Sequence, residues 1–124
     1  MDRVNENYLT KGKPIAERAM IASAYFERML GLLGRKSFPE GSGLLLMPCK
    51  CVHTFFMRFP IDVIFLDKEF SVVEIEEGMR PFRISSFYPK AYCALEVPSG
   101  TVKATATEKG DVICLRRWTI CPFP

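Results

Sequence analysis

Residues 49–67, CKCVHTFFMRFPIDVIFLD, bring together several residue types that can bind metals or do chemistry. Cys49, His53 and Met57 recur every four residues, and their thiolate, imidazole and thioether groups are ligand types that bind zinc or copper(I). In an extended strand, alternate side chains point to the same side, so these three would share one face with Cys51. The spacing therefore makes Cys49, His53 and Met57 candidate ligands for a Zn or Cu ion.

A second interpretation gives the same three side chains ordinary structural roles. Free cysteine is among the most buried residue types and methionine fills gaps in cores, so Cys49 and Met57 are also compatible with a packed interior. His53 would then hydrogen-bond a neighbour. Zinc sites, moreover, generally draw their ligands from two separate segments. The residues alone leave both the metal site and the plain core open.

Four polar residues form a second candidate site around His53. Thr54, Arg58 and Asp62 recur every four residues, and Glu96 stands alone between two apolar residues. A charged residue inside an apolar strand is costly unless it is paired, which predicts a partly buried ion pair between Arg58 and either Asp62 or Glu96. Alternatively, the five side chains line a cleft in which Arg58 binds the carboxylate or phosphate of an unknown small molecule.

Catalysis is a further alternative for the same cleft. His53 with Asp62 or Glu96 could act as a general base, and Cys49 or Cys51 as a nucleophile. The chain has one histidine and no Gly-x-Ser-x-Gly element, however, and this scarcity disfavours an enzyme. We therefore expect a small-ligand or soft-metal binding or accessory module, with a hydrolase-like or transferase-like enzyme and a purely structural protein-interaction domain as the alternatives.

The composition is that of one folded domain over residues 1–124, of which residues 1–12 are expected to be loosely ordered. Apolar residues make up 48% of the chain and charged residues 25%, as in globular proteins. The net charge of +3 arises from 17 basic and 14 acidic residues scattered along the chain, which argues against a nucleic-acid partner. No apolar run is long enough to span a membrane, so no membrane partner is expected.

The first residues of the chain are polar and lack the apolar stretch of a signal peptide, which predicts a cytoplasmic protein. All five cysteines are therefore expected to be free thiols. Glutamine is absent and asparagine occurs twice, a scarcity of thermolabile amides that points to a thermophilic source. The apolar C-terminal segment could support a homodimer. Arg80 and Arg83, which bracket an aromatic residue, could contact a partner or belong to an ordinary packed loop.

Hydrophobic periodicity predicts a mainly β protein with one short amphipathic helix near the N-terminus. Apolar residues at 26, 29, 30 and 33 repeat with the helical period, so we expect this helix within residues 22–36, ending at Gly34. The run IDVIFL at 61–66 is apolar on both faces apart from Asp62 and predicts a central strand covered on both sides. Short β-branched and aromatic runs separated by turn residues predict an antiparallel sandwich or small barrel, with strands at 15–21, 44–47, 61–66, 70–76, 91–97, 102–106 and 112–118.

The segments ERMLGLLGR, EGSGLLLMPC, VHTFFMRFPIDVIFLD and ALEVPSG follow one another in this order, with KGD near the end of the chain. Their pattern resembles the domain of unknown function 192 family, a group of small uncharacterised prokaryotic proteins. The resemblance implies a compact, mostly antiparallel β fold with one helix, in which residues 15–33 divide into a strand and then the helix. It implies no reaction, ligand or cofactor, so the function must be argued from the residues.

Overall fold

The computed structural model describes residues 2–10, 13–22 and 38–116, and it describes side chains from residue 38 to residue 114. Within these ranges the chain forms seven strands and one short helix. In chain order these are β1 (Asp2–Thr10), β2 (Lys13–Ala22), β3 (Ser42–Leu46), β4 (Ile61–Leu66), β5 (Val72–Met79), β6 (Cys93–Pro98), the helix α1 (Thr101–Thr105) and β7 (Cys114–Arg116).

The strands belong to one sheet, in the order β5-β4-β6-β3-β2-β1-β7. Neighbouring strands are antiparallel except β2 and β3, which run parallel. The two ends of this order meet where Ser71 forms a β-bridge with Val112 and the Ile113 N–H donates to the Phe70 carbonyl at 2.8 Å. The sheet closes on itself at this point, and the prediction of a mainly β fold built as a sandwich or small barrel is confirmed.

Strand β4 lies between β5 and β6, and all six of its residues are buried. Its alternate side chains enter two hydrophobic clusters, as expected for a run that is apolar on both faces. Ile64 packs with Leu45 and Leu95 in what we call the first cluster. Val63 packs with Leu44 in the second cluster, on the opposite face of the sheet. The prediction of a central strand covered on both sides is confirmed.

Two long connections cover the face that carries the second cluster. Both β3 and β4 run antiparallel to β6, so they point in the same direction, and residues 47–60 must return across the sheet to join them. The same argument applies to residues 80–92, which join β5 to β6. Val52 and Met57 from the first connection and Ala91 from the second are buried in the second cluster. We refer to these connections as loop 47–60 and loop 80–92.

Several predicted elements can be compared with the structure directly. The strand predicted at 15–21 corresponds to β2, and those predicted at 44–47, 70–76 and 91–97 correspond to β3, β5 and β6. Strand β1 was not predicted, because its polar sequence lacks an apolar run. The helix is predicted within residues 22–36, of which residues 23–36 lie outside the described residues. No helix in the described part of the chain has the length and apolarity needed to cross a membrane.

The strand predicted at residues 102–106 is wrong, because this segment forms the helix α1. The N–H groups of Gly100 and Val102, at the start of α1, donate to one carboxylate oxygen of Asp62 at 3.1 and 3.0 Å. A carboxylate that accepts from the first N–H groups stabilises a helix. Here the carboxylate comes from β4, so a contact between distant residues decides the local structure.

Candidate functional site

Loop 47–60 and loop 80–92 run antiparallel to each other and are joined by backbone hydrogen bonds. The Thr54 N–H donates to the Arg83 carbonyl and the Ser85 N–H donates to the Val52 carbonyl, both at 2.9 Å. Between these bonds His53 and Ile84 form a β-bridge. Because this pairing is strand-like, successive residues alternate between the sheet and the solvent. Val52 and Thr54 are accordingly buried, whereas His53 and Ile84 are exposed.

Thr54 fastens the two loops together from inside. Its side chain is fully buried, and its hydroxyl donates to the Arg80 carbonyl at 2.5 Å and accepts the Arg83 N–H at 2.9 Å. The Phe82 N–H in turn donates to the Thr54 carbonyl at 3.0 Å. A buried hydroxyl with both roles filled contributes to the structure rather than to ligand binding. Thr54 therefore positions the loop residues around it.

Asp62 is buried, and its carboxylate is occupied by three backbone N–H groups. One oxygen accepts from Gly78 at 2.8 Å, and the other accepts from Gly100 and Val102. These bonds connect β4 to the end of β5 and to the start of α1. A carboxylate satisfied in this way needs no cation beside it, which is why Asp62 does not require the arginine that the sequence suggested.

The predicted ion pair between Arg58 and Asp62 or Glu96 is not formed. Arg58 is exposed to solvent and has no ion pair among the side chains that the structure describes. Glu96 is 3% exposed and lies on β6 opposite Leu44 on one side and Val63 on the other. Between residues 38 and 114 no donor or cation contacts its carboxyl, and burial raises its pKa to about 8. Burial therefore favours the neutral, protonated form of the Glu96 carboxyl.

The three candidate metal ligands lie in different environments. Met57 is buried in the second cluster, and His53 is exposed, with its Nδ1 atom accepting the Phe55 N–H at 3.3 Å. The Cys49 thiol donates to the Cys51 carbonyl at 3.1 Å. No group of three or more His, Cys, Asp or Glu side chains that could hold a metal ion occurs among the described residues. The four-residue spacing does not produce one face, because the loop is not a continuous strand.

The cysteines also differ from the prediction. Cys49, Cys51 and Cys93 are free thiols, but Cys114 is disulfide-bonded. The prediction of five free thiols is therefore wrong. Burial raises the pKa of the Cys93 thiol to about 12, so it stays protonated and is a poor nucleophile. His53 is exposed while Asp62 and Glu96 are buried, so the proposed histidine–carboxylate base is not assembled.

The outward-facing side chains of the two loops form an exposed cluster of aromatic and basic residues. The His53 ring stacks on Phe55 with centroids 5.2 Å apart, and Phe55 lies 6.4 Å from Phe82. Phe56 meets Phe82 edge to face at 5.5 Å. Arg80 and Arg83 are exposed on either side of Phe82 in the sequence. We call this region the aromatic–arginine surface; it consists of His53, Phe55, Phe56, Arg80, Phe82, Arg83 and Ile84.

Two residues of this surface have a backbone conformation that is unfavourable for side chains with a Cβ atom. Phe56 has φ 64° and Phe82 has φ 62°, in the left-handed region. Their side chains are nevertheless 71% and 55% exposed. Phe70 also has a positive φ, but it packs against the first cluster, where burial offsets the strain. The side chains of Phe56 and Phe82 are mostly exposed, so burial does not offset the backbone strain at these two residues.

An open groove adjoins the aromatic–arginine surface. It has a volume of about 390 Å³ and is lined by the end of β5 and the start of loop 80–92, through Glu76, Gly78, Met79, Arg80, Arg83 and Ile84. Glu76 is held in place because its carboxylate accepts the Tyr88 hydroxyl at 3.0 Å. The two arginines are the exposed charges of the groove.

The sequence indicated part of this surface. The basic and aromatic residues at 80–83 predict either a contact with a partner or an ordinary packed loop, and the residue types around His53 predict a site centred on it. Phe56 was missed, because its exposure depends on a left-handed conformation that has no signal in the sequence. Thr54, Asp62 and Glu96 were predicted to line the same site as His53, but all three side chains are buried and do not belong to the aromatic–arginine surface.

Comparisons with known proteins agree with this architecture. The family model DUF192, described as "Uncharacterized ACR, COG1430", matches residues 8–115. A UPF0127 protein of Pyrococcus furiosus is 36% identical over 110 residues, covering 83% of this chain and 90% of that protein. A UPF0127 protein of Pyrococcus horikoshii is 35% identical over 98 residues, covering 75% and 83%. These relatives come from thermophilic archaea, in line with the amide scarcity.

Two crystal structures show a similar fold at low sequence identity. A protein of unknown function from Novosphingobium aromaticivorans has a TM-score of 0.79 at 18% identity, covering 90% of this chain and 84% of that chain. A proposed transcription regulator from Sinorhizobium meliloti has a TM-score of 0.76 at 19% identity, covering 91% and 95%. The family match and the archaeal relatives together show that this chain belongs to the DUF192 family, also called UPF0127, whose function is uncharacterised.

Proposed function

We propose that this protein is a binding module without catalysis of its own, which recognises its ligand through the aromatic–arginine surface. The observation that carries the proposal is the pair Phe56 and Phe82, two exposed aromatic rings in edge contact on two loops that are fastened to each other. The proposal keeps ligand binding near His53, as the sequence predicted. It moves the contacts from the buried Asp62 and Glu96 to exposed residues.

The backbone strain supports recognition as the role of these rings. A residue other than glycine in the left-handed region costs roughly 1–3 kcal/mol, and such residues cluster at ligand-binding sites. Glycine would remove the cost at Phe56 and Phe82, and neither ring fills the interior of the protein. The strained conformation serves to present the two rings to solvent, where they are available to a ligand.

The chemistry of the surface indicates the class of ligand. The planar guanidinium groups of Arg80 and Arg83 suit the oxygens of a carboxylate or phosphate, and the phenylalanine rings suit a flat apolar group. We therefore propose a ligand in which an anionic group adjoins an aromatic or similar planar group. A soft-metal site at Cys49, His53 and Met57 has less support, since these side chains lie in different environments.

Amide chemical shifts measured during titration with phenyl phosphate test this proposal. We expect saturable shifts concentrated at residues 53–56 and 80–84, with an affinity in the millimolar range because the probe is small. Inorganic phosphate has only the anionic group and phenol has only the aromatic ring, so each should bind more weakly than phenyl phosphate. Shifts scattered over the whole sheet, or no saturation by any of the three compounds, would contradict the proposal.

Two phenylalanine variants test whether binding depends on the aromatic–arginine surface. Phe82→Ala should weaken phenyl phosphate binding, since it removes the ring that contacts both Phe55 and Phe56. Phe87 provides the control: it is 64% exposed and has no ring contact among the described residues. Phe87→Ala should leave the affinity unchanged. Equal losses in both variants would mean that binding follows general exposed hydrophobicity rather than this surface.

A further inference from the structure

The outer side of β5 is a sheet edge that is closed only at its beginning. Val72 is bonded to the segment before β7, since its N–H donates to the Asp111 carbonyl and its carbonyl accepts the Gly110 N–H, both at 2.8 Å. From residue 73 to Met79, no strand in the described part of the chain pairs with this side of β5. An unpaired edge of this kind presents backbone N–H and C=O groups to solvent.

The contacts of β5 show which of its backbone groups point to the outer side of the sheet. The Ile75 N–H donates to the Glu74 carboxylate at 3.1 Å, as expected for an N–H group on the outer side of the strand. Backbone groups of alternate residues point to the same side, so Glu77 presents its groups to the same edge. Glu74 itself is paired with Lys109 at 2.8 Å. The edge thus presents the Ile75 carbonyl and both backbone groups of Glu77, and an added strand would replace the Glu74 carboxylate as the partner of the Ile75 N–H.

The groove described above lies at the end of this edge. Gly78 and Met79 line it from β5, and Arg80 and Arg83 line it from loop 80–92. Neither arginine side chain forms an ion pair with any other described residue. An extended chain that continued along β5 would reach these two charges, and an acidic side chain would complement them.

We propose that the free edge of β5 accepts an extended peptide segment of a partner protein as an additional strand, with an acidic side chain of that peptide against Arg80 and Arg83. The proposal rests on the proposed function, because it uses the same two arginines. It adds a second means of recognition, in which main-chain hydrogen bonds along β5 supply affinity and the groove supplies specificity.

Charge disfavours the other occupants of this edge. A second copy of the chain paired through β5 would bring its own Glu77 to an edge that already carries Glu77, which is exposed. A nucleic-acid strand would bring phosphates near Glu76, which lines the groove, and Glu77. A peptide with a single acidic side chain beside the arginines carries less negative charge past Glu76 and Glu77 than a phosphate at every residue would. It also pairs with both the N–H and the C=O groups of the edge, whereas a phosphate only accepts from the N–H groups.

Selection of heptapeptides from a phage-displayed library against the intact protein tests the proposal. We expect enrichment of sequences with one or two acidic residues and alternating apolar residues. Synthetic peptides of the enriched sequences should lose binding at least about tenfold to an Arg80→Ala/Arg83→Ala variant. Lys68→Ala is the matched control, since Lys68 is an exposed base in the turn at the opposite end of β5, and it should leave the affinity within about twofold of the wild type.

N-methylation of the peptide backbone identifies strand addition specifically. Methylating the amides that face β5 should weaken binding at least about tenfold, while methylating the intervening amides should change it little, giving a two-residue period. No enriched peptides, or binding without this period, would overturn the inference. Tighter binding of single-stranded oligonucleotides than of peptides, or a dimer in light scattering that Glu77→Lys disrupts, would overturn it as well. If phenyl phosphate still binds in any of these cases, the proposed function stands without the peptide.

Discussion

Replacement of Glu96 by glutamine should remove a pH dependence of stability that the wild-type protein shows between about pH 4.5 and 8. Glu96 is 3% exposed between Leu44 and Val63, and burial raises its pKa from 4.5 to about 8. In this interval the folded protein holds a proton that the unfolded chain has released. The free energy of unfolding therefore falls as the pH rises, and the stabilisation present below pH 4.5 is lost by about pH 8.

The size of the effect follows from the two pKa values. The interval from 4.5 to about 8, at about 1.4 kcal/mol per pH unit, gives a loss of about 5 kcal/mol. Water entering the site or local relaxation would reduce this value to a few kcal/mol. Glu96→Gln has nearly the same shape and stays neutral, so the variant should match the wild type near pH 5 and exceed it by several kcal/mol above pH 8.

Urea denaturation at several pH values between 5 and 9 measures this difference. Glu77→Gln is the matched control, because Glu77 is an exposed glutamate on β5 of the same sheet and its replacement should leave the pH dependence of stability unchanged. A difference between wild type and Glu96→Gln that is constant from pH 5 to 9 would refute the reasoning. It would mean that the Glu96 carboxyl reaches solvent or finds a cation in the folded protein.

Three further predictions concern the fold and its strained residues. Asp62→Ala should lower the free energy of unfolding by about 3–5 kcal/mol in urea denaturation, because three backbone N–H groups lose their acceptor. Asp62→Asn keeps one acceptor oxygen and should lower it less. Equal losses in the two variants would contradict the role of Asp62 as an acceptor for these N–H groups. At Phe56, glycine should be more stable than alanine by about 1 kcal/mol, the reverse of the order at Phe87, whose φ is not positive; the same order at both positions would rule out the left-handed conformation. Unreduced, denatured protein should titrate with three free thiols rather than five, since Cys114 is disulfide-bonded and a disulfide takes up two cysteines. A count of five would contradict the disulfide.

The main strands were predictable because their hydrophobic pattern is local. The run at 61–66 is apolar on both faces apart from Asp62 and forms β4 with every residue buried, and the strands predicted at 15–21, 44–47, 70–76 and 91–97 correspond to β2, β3, β5 and β6. The segment at 101–105 was mispredicted, because its short sequence suits a strand or a helix. Asp62, which lies about 40 residues earlier in the chain, stabilises the helix by accepting hydrogen bonds from the N–H groups at its start.

The sequence by itself determined the family, the mainly β class and the residue types available near His53. Only the tertiary structure decided which of those residues face solvent. Neighbours such as His53 and Thr54 have opposite environments, because loop 47–60 crosses a sheet face and pairs with loop 80–92, so that its side chains alternate between core and surface. That crossing depends on the order β5-β4-β6-β3, which is set by contacts between strands far apart in the chain. Spacing within one segment carries no information about such contacts, and the exposure of Phe56, Phe82 and the arginines follows from them.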